Sequence, residues 1–148
     1  MHHVKAHGAL YNQAAADADL ARAFAEAVAA FDESLIVVGL ANSHLISEAK
    51  RISLPVANEV FADRGYLPNG ALMPRSLPGA VLHDPDVVAA RVLSMVKEGR
   101  VQASGGSTVQ LEADTICVHG DTPEALKHLQ ALRRVLAEAE IEIVSVTR

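Results

Sequence analysis

The sequence predicts an α/β fold in which about five parallel strands alternate with helices. The chain has 148 residues, half of them hydrophobic, which suits a single domain with a substantial core. Short apolar runs alternate along the chain with longer segments whose apolar residues repeat at helical spacing. This alternation favours a parallel sheet or a barrel whose strands are covered by helices.

The elements of the first half are predicted from periodicity and from capping residues. Segment 13–31 is rich in Ala, the best helix former, and its apolar residues repeat at helical spacing. Segment 35–40 is apolar without alternation, as expected for a strand covered on both faces. Asn42 or Ser43 can cap a helix over residues 43–51. The predicted strands are residues 3–7, 35–40, 55–59, 115–118 and 141–144, and the predicted helices are residues 13–31, 43–51, 85–98 and 123–139.

The second half contains a long irregular region and two further helices. Residues 62–83 hold several Gly and Pro, and a loop of this length in a compact domain is usually functional or disordered. Asp84 or Asp86 caps the next helix, with Pro85 near its first position and Gly99 at its end. A hairpin or loop over residues 101–111 and a helix capped by Thr122 and opened by Pro123 complete the pattern.

The composition excludes several classes of partner. The net charge is -5 and the chain has no basic block, so duplex nucleic acid is not expected to bind. No apolar run approaches the roughly 20 residues of a membrane-spanning helix, and the N-terminus lacks the apolar core of a signal peptide. Cys117 is the sole cysteine, which fits a reducing compartment. We therefore expect a cytoplasmic protein without a membrane partner.

Ionisable side chains collect where three predicted strands end, each close to a Gly. The three segments are residues 4–8, 59–66 and 115–121. In a parallel α/β fold the carboxyl ends of the strands form the active face. The pattern therefore predicts an enzyme active site that contains His7, Glu59, Asp63, His119 and Asp121.

The histidines and Glu59 are the candidates for proton transfer. His7 and His119 each follow an apolar run and precede a Gly, and imidazole suits both proton transfer near neutral pH and divalent metals. Glu59 stands where a general base or a metal ligand would project. The alternative for Glu59 is a structural ion pair with Arg64 or Arg75.

Three further residues are site candidates, Asp121 for catalysis and Lys5 and Asn12 for binding. Asp121 is either a carboxylate beside His119 or a residue at the entry of the following helix. Lys5 alternates with His7, so both side chains point the same way along a strand, and Lys5 can bind an anion. Asn12, just past the first strand, can line the same site.

The irregular region adds a second set of binding candidates. Asp63 and Arg64 are either site residues or a pair that stabilises the loop. Arg75 suits a carboxylate or a phosphate, because a guanidinium binds either one through two parallel hydrogen bonds. The segment Gly105-Gly106-Ser107-Thr108 is not a P-loop, because it lacks the Gly-Lys-Ser/Thr ending.

Four segments of the chain carry a family resemblance, and they are Val4-Lys5-Ala6-His7-Gly8-Ala9-Leu10-Tyr11-Asn12, Glu59-Val60-Phe61-Ala62-Asp63-Arg64-Gly65-Tyr66, Gly70-Ala71-Leu72-Met73-Pro74-Arg75 and Thr115-Ile116-Cys117-Val118-His119-Gly120-Asp121-Thr122-Pro123. They resemble the LamB/YcsF family, and the match runs over essentially the whole chain. The resemblance implies a distorted β/α barrel of the glycoside hydrolase/deacetylase type. It implies ATP-dependent hydrolysis of 5-oxoproline (pyroglutamate) to glutamate by a multi-subunit 5-oxoprolinase, with the chain as the A subunit beside partner subunits B and C.

The match is to the C-terminal part of the family only. A β/α barrel usually needs about 200 to 250 residues, so residues 1–148 are expected to form a single α/β domain that is an N-terminally truncated barrel. Such a domain would leave a sheet edge open. Pairing with another copy, as a homo-oligomer, or with another fragment would cover that edge.

The resemblance and the residues together suggest roles. Either Glu59 or His119 is the base that activates water, and His7 and Asp121 orient that base or bind a divalent metal. ATP is the co-substrate, and the substrate is a small molecule. The substrate-binding residues are expected to be Lys5, Asn12, Asp63, Arg64 and Arg75.

Two other functions stay open at this point. The first is a metal-dependent hydrolase related to deacetylases, with His7, Glu59 and His119 as ligands. The second is a non-catalytic fragment that docks the partner subunits.

Overall fold

The computed structural model describes residues 1–120 and 123–146. Its strands are β1 (His3–Lys5), β2 (Ile36–Leu40), β3 (Val56–Phe61), β4 (Arg100–Gln102), β5 (Thr108–Gln110) and β6 (Thr115–Cys117). Its helices are α1 (Ala9–Ala16), α2 (Ala18–Asp32), α3 (His44–Arg51), α4 (Pro85–Glu98) and α5 (Ala125–Glu138). None of the described helices has the length and apolar character that crossing a membrane requires.

A four-stranded sheet and a small hairpin organise these elements. The strand order of the sheet is β1-β2-β3-β6. β1 runs parallel to β2 with His3 opposite Ile36, and β2 runs parallel to β3 with Val37 opposite Val56. β4 and β5 form an antiparallel hairpin. The α/β class with parallel strands is therefore confirmed, and the glycoside hydrolase/deacetylase type of barrel stays a prediction.

The chain divides into two compact units, residues 1–59 with Val146, and residues 60–145. In the first unit, β2 is buried on both faces. Val37 packs with Leu45 and residues of α2 on one side, while Ile36 and Val38 pack with Ala57 on the other. Covering on both faces explains why this strand is apolar without alternation. The expectation of a single domain stays a prediction.

The second unit has its own core beneath α4 and α5. Val88 and Val92 of α4 pack against Leu132 of α5 and against Ala62, with Ile116 of β6 at the edge of the cluster. The β4–β5 hairpin follows α4 directly, since Gly99 ends the helix in the left-handed conformation with φ 61°. The hairpin predicted over residues 101–111 is thus confirmed.

The predicted caps of α3 and α4 are confirmed. The Ser43 hydroxyl accepts a hydrogen bond from the Ile46 backbone N–H at the start of α3. The Asp84 carboxylate accepts from the backbone N–H groups of Asp86 and Val87, and Pro85 occupies the first turn of α4. The predicted cap at Thr122 lies outside the described residues, and α5 begins at Ala125.

The helix predicted over residues 13–31 is in fact two helices that meet at Asp17. Asp17 has an extended backbone, and its carboxylate accepts hydrogen bonds from the N–H groups of Asp19 and Leu20. An Asp in this position competes with the helical backbone and starts a new helix instead. The break is not visible in the sequence pattern, because the Ala-rich helical periodicity continues on both sides of Asp17.

The strand predicted over residues 141–144 is wrong. The described residues 141–146 form no strand, and the side chains of Ile143 and Val144 are 57% and 70% exposed. An apolar run becomes a strand only where a neighbouring strand satisfies its backbone groups, and sequence alone does not reveal whether such a neighbour exists. β1 is also shorter than predicted, because it ends at Lys5 rather than at residue 7.

The irregular region between β3 and α4 is held together by its own backbone. The Gly65 N–H donates to the Ala80 carbonyl, and the Met73 N–H donates to the Gly65 carbonyl. A Cβ atom at Gly65 would lie 2.6 Å from both the Gly79 carbonyl oxygen and the Met73 sulfur. This close approach requires Gly at position 65.

Gly65→Ala is expected to lower the free energy of unfolding by about 1–3 kcal/mol, because the new methyl group overlaps backbone that has little room to move. Urea unfolding followed by circular dichroism measures the change. Gly120→Ala is the matched control, since a Cβ there meets no atom of the described residues within 4 Å. Equal stability of the two variants would contradict the close packing at Gly65.

Candidate active-site residues

The ionisable residues at the strand ends form two separate pairs. Lys5 pairs with Glu59 in the first unit, and Asp63 pairs with His119 in the second. Each pair joins residues that lie far apart in the sequence, since the first spans 54 positions and the second 56.

The Lys5–Glu59 pair is short and largely buried. The Lys5 Nζ lies 2.6 Å from the Glu59 Oε1, and the side chain of Glu59 is only 6% exposed. Because β2 lies between β1 and β3, the Lys5 side chain reaches across one strand to make this contact. The same ammonium lies 5.4 Å from the centre of the Tyr11 ring, close enough for a favourable cation–π interaction.

The second carboxylate oxygen of Glu59 is the unusual feature of this pair. Oε2 is buried and has no hydrogen-bond partner among the described residues. A buried polar atom without a partner is costly, so it marks a place where a ligand or a water can donate a hydrogen bond. The sequence-based alternative paired Glu59 with Arg64 or Arg75. The described structure pairs it with Lys5 instead.

The Asp63–His119 pair fixes the orientation of an imidazole. The Nδ1 atom of His119 lies 3.1 and 3.3 Å from the two carboxylate oxygens of Asp63, whose side chain is 1% exposed. An ionised carboxylate only accepts hydrogen bonds, so in the neutral ring Nδ1 carries the proton and Nε2 keeps its lone pair. The ring also stacks on Phe61, with centroids 5.5 Å apart. The arrangement suits a general base.

Backbone hydrogen bonds at the ends of β3 and β6 position the Asp63–His119 pair. The Ala62 N–H donates to the Cys117 carbonyl, which brings the end of β3 beside the end of β6. The Phe61 N–H donates to the hydroxyl of the buried Tyr66 at 2.9 Å, and this bond fixes the turn that carries Asp63. Asp121, the other carboxylate predicted beside His119, lies outside the described residues.

Arg64 stabilises the irregular region by hydrogen bonds to its backbone. Its Nε donates to the Ala80 carbonyl and its Nη2 donates to the Met73 carbonyl at 2.6 Å. Burial lowers the pKa of Arg64, and the like charge of Arg75 lowers it further, while Asp63 opposes the change. The guanidinium thus closes the loop, and Arg75 is exposed. Substrate binding by either arginine stays a prediction.

His7 and Asn12 lie on the surface of the first unit. His7 is exposed and comes two residues after the end of β1. The Asn12 amide donates to the Gly8 carbonyl at the start of α1 and is exposed. Among residues 1–120 and 123–146, no three His, Cys, Asp or Glu side chains are grouped so that they could hold a metal ion. The predicted roles of His7 and Asn12 remain predictions.

Arg91 is a site candidate that the sequence analysis did not identify. It lies in the middle of α4, where a charged residue is ordinarily part of a solvated face. Its Nη1 donates to the Arg64 carbonyl, and its guanidinium lies 5.2 Å from the centre of the Tyr66 ring. Burial lowers the pKa of Arg91. No motif marked it, since one Arg among Val and Ala carries no local signal.

Comparison with known proteins identifies relatives along the whole chain. The model of the LamB/YcsF family matches residues 1–148. The chain is 50% identical to the 5-oxoprolinase A subunit of Pyrococcus horikoshii, with 97% of this chain and 56% of that protein aligned. It is 54% identical to the 5-oxoprolinase A subunit of Limosilactobacillus fermentum, with 97% and 57% aligned.

A solved structure matches as well. The lactam utilization protein from Thermus thermophilus superposes with a TM-score of 0.89 at 44% identity, over 99% of this chain and 58% of that one. The chain therefore spans somewhat more than half the length of the relatives it matches.

Lys5→Met is expected to cost about 1–3 kcal/mol of unfolding free energy, because it leaves a buried carboxylate without its cation. Glu59→Gln is expected to cost less, because the amide is uncharged and the Lys5 side chain, 25% exposed, can reach water. Chemical unfolding at neutral pH gives both values. Arg134→Met is the control, since its ion pair with Asp86 is exposed and should contribute little. Equal losses in Lys5→Met and Arg134→Met would show that the Lys5–Glu59 pair does not behave as buried.

In Asp63→Ala, we expect the neutral imidazole of His119 to be no longer restricted to one tautomer. In the unmodified chain, nitrogen NMR of the neutral His119 ring should show Nδ1 protonated and Nε2 unprotonated, because Asp63 accepts a hydrogen bond only from Nδ1. Without that carboxylate, both tautomers should be populated. Asp86→Asn removes an exposed acid and should leave the His119 signals unchanged. A bare Nδ1 in the unmodified chain would refute the assigned orientation.

Proposed function

Because the chain belongs to the LamB/YcsF family, we propose that it acts in the hydrolytic opening of 5-oxoproline to glutamate, coupled to ATP hydrolysis, as the A subunit of a 5-oxoprolinase. Relatives that are named as the A subunit of 5-oxoprolinase support the substrate and the multi-subunit setting. The lactam utilization protein supports a cyclic amide as the substrate class. Subunits B and C are the proposed partners, and the cytoplasm is the proposed compartment.

The Asp63–His119 pair is the observation that supports a hydrolytic role best. Opening a lactam requires a base that removes a proton from water as the water oxygen attacks the carbonyl carbon. The Nε2 of His119 has the lone pair for this step, and Asp63 stabilises the imidazolium that results. The ring C–N bond then breaks, and the nitrogen takes up a proton to become the amine of glutamate.

ATP would make the carbonyl carbon reactive enough for that attack. Transfer of its terminal phosphoryl group to the lactam oxygen would release ADP and make the carbon more electrophilic. When the C–N bond breaks, the product is an acyl phosphate, and a second water releases phosphate from it. The atoms balance as 5-oxoproline, ATP and two waters giving glutamate, ADP and phosphate.

The Lys5–Glu59 pair supplies a second set of functional groups. The buried Oε2 of Glu59 can accept a hydrogen bond from an N–H of a ligand or from a water. In the proposal, Lys5 neutralises Glu59 and contributes positive charge for an anionic group. Roles for His7 and Asp121 in orienting the base, and for Asn12, Arg64 and Arg75 in binding the substrate, belong to the same proposal.

One observation favours a second candidate function. Only 56 to 57% of each of these 5-oxoprolinase relatives is aligned with this chain, so a non-catalytic role in docking partner subunits is the rival. The deacetylase-like alternative requires a divalent metal on His7, Glu59 and His119, and the described residues contain no group of three such side chains placed to hold a metal ion.

The decisive measurement is 5-oxoproline-dependent ATP hydrolysis with glutamate release, using the chain mixed with subunits B and C. We expect His119→Asn to lower turnover by about 100- to 10,000-fold, as for removal of a general base. His44→Asn is the control, because His44 is an exposed residue at the start of α3. Full turnover in His119→Asn would refute His119 as the base. No turnover with the unmodified chain, beside an active full-length relative, would favour the docking role.

A further inference from the structure

A cavity of about 410 Å³ lies within the second unit, on the side of α4 that faces the irregular region. Its volume falls in the range of small-molecule sites, roughly 300–1,000 Å³. Its walls come from the loop after β3, the first half of α4 and the turn after β4. The residues that matter for its chemistry are Tyr66, Met73, Leu82, Val87, Arg91 and Ser104.

The cavity has a mostly apolar wall and one cation. Met73, Leu82 and Val87 supply thioether and aliphatic surface, while Arg91 supplies the positive charge. Apolar walls with a few polar groups are typical of sites that bind small organic molecules. A site with a single guanidinium favours a ligand with a single negative group.

The structure describes no ion pair that balances the charge of Arg91. Among the described residues, no carboxylate lies within ion-pair distance of its guanidinium, and the hydrogen bond it makes to the protein goes from Nη1 to the Arg64 carbonyl. Asp63 stabilises the charge from a distance, but its carboxylate is hydrogen-bonded to His119. A guanidinium has five N–H donors. Arg91 is partly buried, and burying a guanidinium without an anion is costly.

We propose that this cavity binds a small cyclic carboxylic acid, with its carboxylate on the guanidinium of Arg91 and its ring against Met73, Leu82 and Val87. A guanidinium edge donates two parallel hydrogen bonds to a carboxylate. Tyr66, stacked under Arg91, holds the guanidinium in place. The identification of the acid as 5-oxoproline rests on the proposed function, whereas carboxylate binding by Arg91 does not.

This proposal assigns the carboxylate-binding role to Arg91 instead of to the arginines of the irregular region. Arg64 uses two of its nitrogens on the Met73 and Ala80 carbonyls, and Arg75 lies on the surface. Arg91 alone among the three lines the cavity. Its position on a helix rather than a loop also keeps its direction fixed.

The first test needs no substitution in the cavity. The chain contains Met1, Met73 and Met95, and methyl-labelled methionine gives one NMR signal for each. Met73 lines the cavity, whereas Met95 is fully buried on α4 and does not line it. Adding 5-oxoproline should shift the Met73 methyl signal and leave that of Met95 in place. A Met73 signal that does not move at saturating ligand would overturn the proposal.

Calorimetry tests the role of the carboxylate. We expect 5-oxoproline to bind at least about tenfold more tightly than 2-pyrrolidinone, the same ring without the carboxylate, as for the loss of a charge-assisted hydrogen bond. A titration with inorganic phosphate distinguishes a site that is specific for carboxylates from one that binds anions in general. Equal affinities for 5-oxoproline and 2-pyrrolidinone, or phosphate binding as tight as that of the acid, would overturn the proposal.

Substitution of Arg91 gives an independent test. Arg91→Gln should weaken 5-oxoproline binding by about ten- to a hundredfold and leave 2-pyrrolidinone binding nearly unchanged. Arg134→Gln, on the exposed face of α5, should change neither affinity. If Arg91→Gln fails to fold, Arg91→Lys keeps the charge but not the paired donors and should still weaken binding. Unchanged affinity in the folded variant would overturn the proposal.

The two proposals fail in different ways. If the chain binds 5-oxoproline through Arg91 but the mixture with subunits B and C shows no turnover, the proposed function falls and the binding site stands. If turnover is present and Arg91→Gln leaves KM unchanged, the cavity assignment falls and the proposed function stands.

Discussion

The cost of burying charge governs the segment from Glu59, near the end of β3, to Arg64, just after it. Glu59, Asp63 and Arg64 are all less than a tenth exposed, and an isolated buried charge would destabilise the fold by several kcal/mol. Each of the three has received a different partner. Lys5 balances Glu59, His119 binds Asp63, and backbone carbonyls of the loop accept from Arg64. Three side chains within six residues therefore each depend on a different part of the chain.

These partners also set what chemistry the segment can perform. Asp63 is used to orient an imidazole, so its carboxylate is not itself free to act as a base. In the first unit, Glu59 keeps one buried oxygen for an incoming donor. In the second unit, the proposal assigns N–H donors of Arg91 to an incoming acceptor, such as the carboxylate of 5-oxoproline. The proposed chemistry thus rests on named atoms as well as on membership of the LamB/YcsF family.

Most of the fold could be predicted from the sequence because short-range signals determine it. Features that depend on contacts between distant residues could not be predicted. Ser43, Asp84 and Gly99 act within a few residues of their own positions, so the bounds of α3 and α4 followed from the sequence. The break at Asp17 was also local, but it was hidden among alanines on both sides. The apolar run 141–144 resembles a strand in composition, and only the absence of a paired neighbour in the described structure distinguishes it. Glu59, Asp63 and His119 were predicted as candidates from their places at strand ends. Their partners were not, because Lys5 and Glu59 are 54 positions apart.

The two hydrogen bonds from Arg64 have a consequence for how the irregular region resists proteases. They anchor the carbonyl groups of Met73 and Ala80. The segment between these two residues is exposed. A protease needs an extended stretch of chain, and a stretch anchored at both ends becomes available only when the anchors release. Since the guanidinium that anchors it is buried, release requires the second unit to open around it. Cleavage of this surface loop would then follow the stability of the unit beneath it rather than the exposure of its own residues.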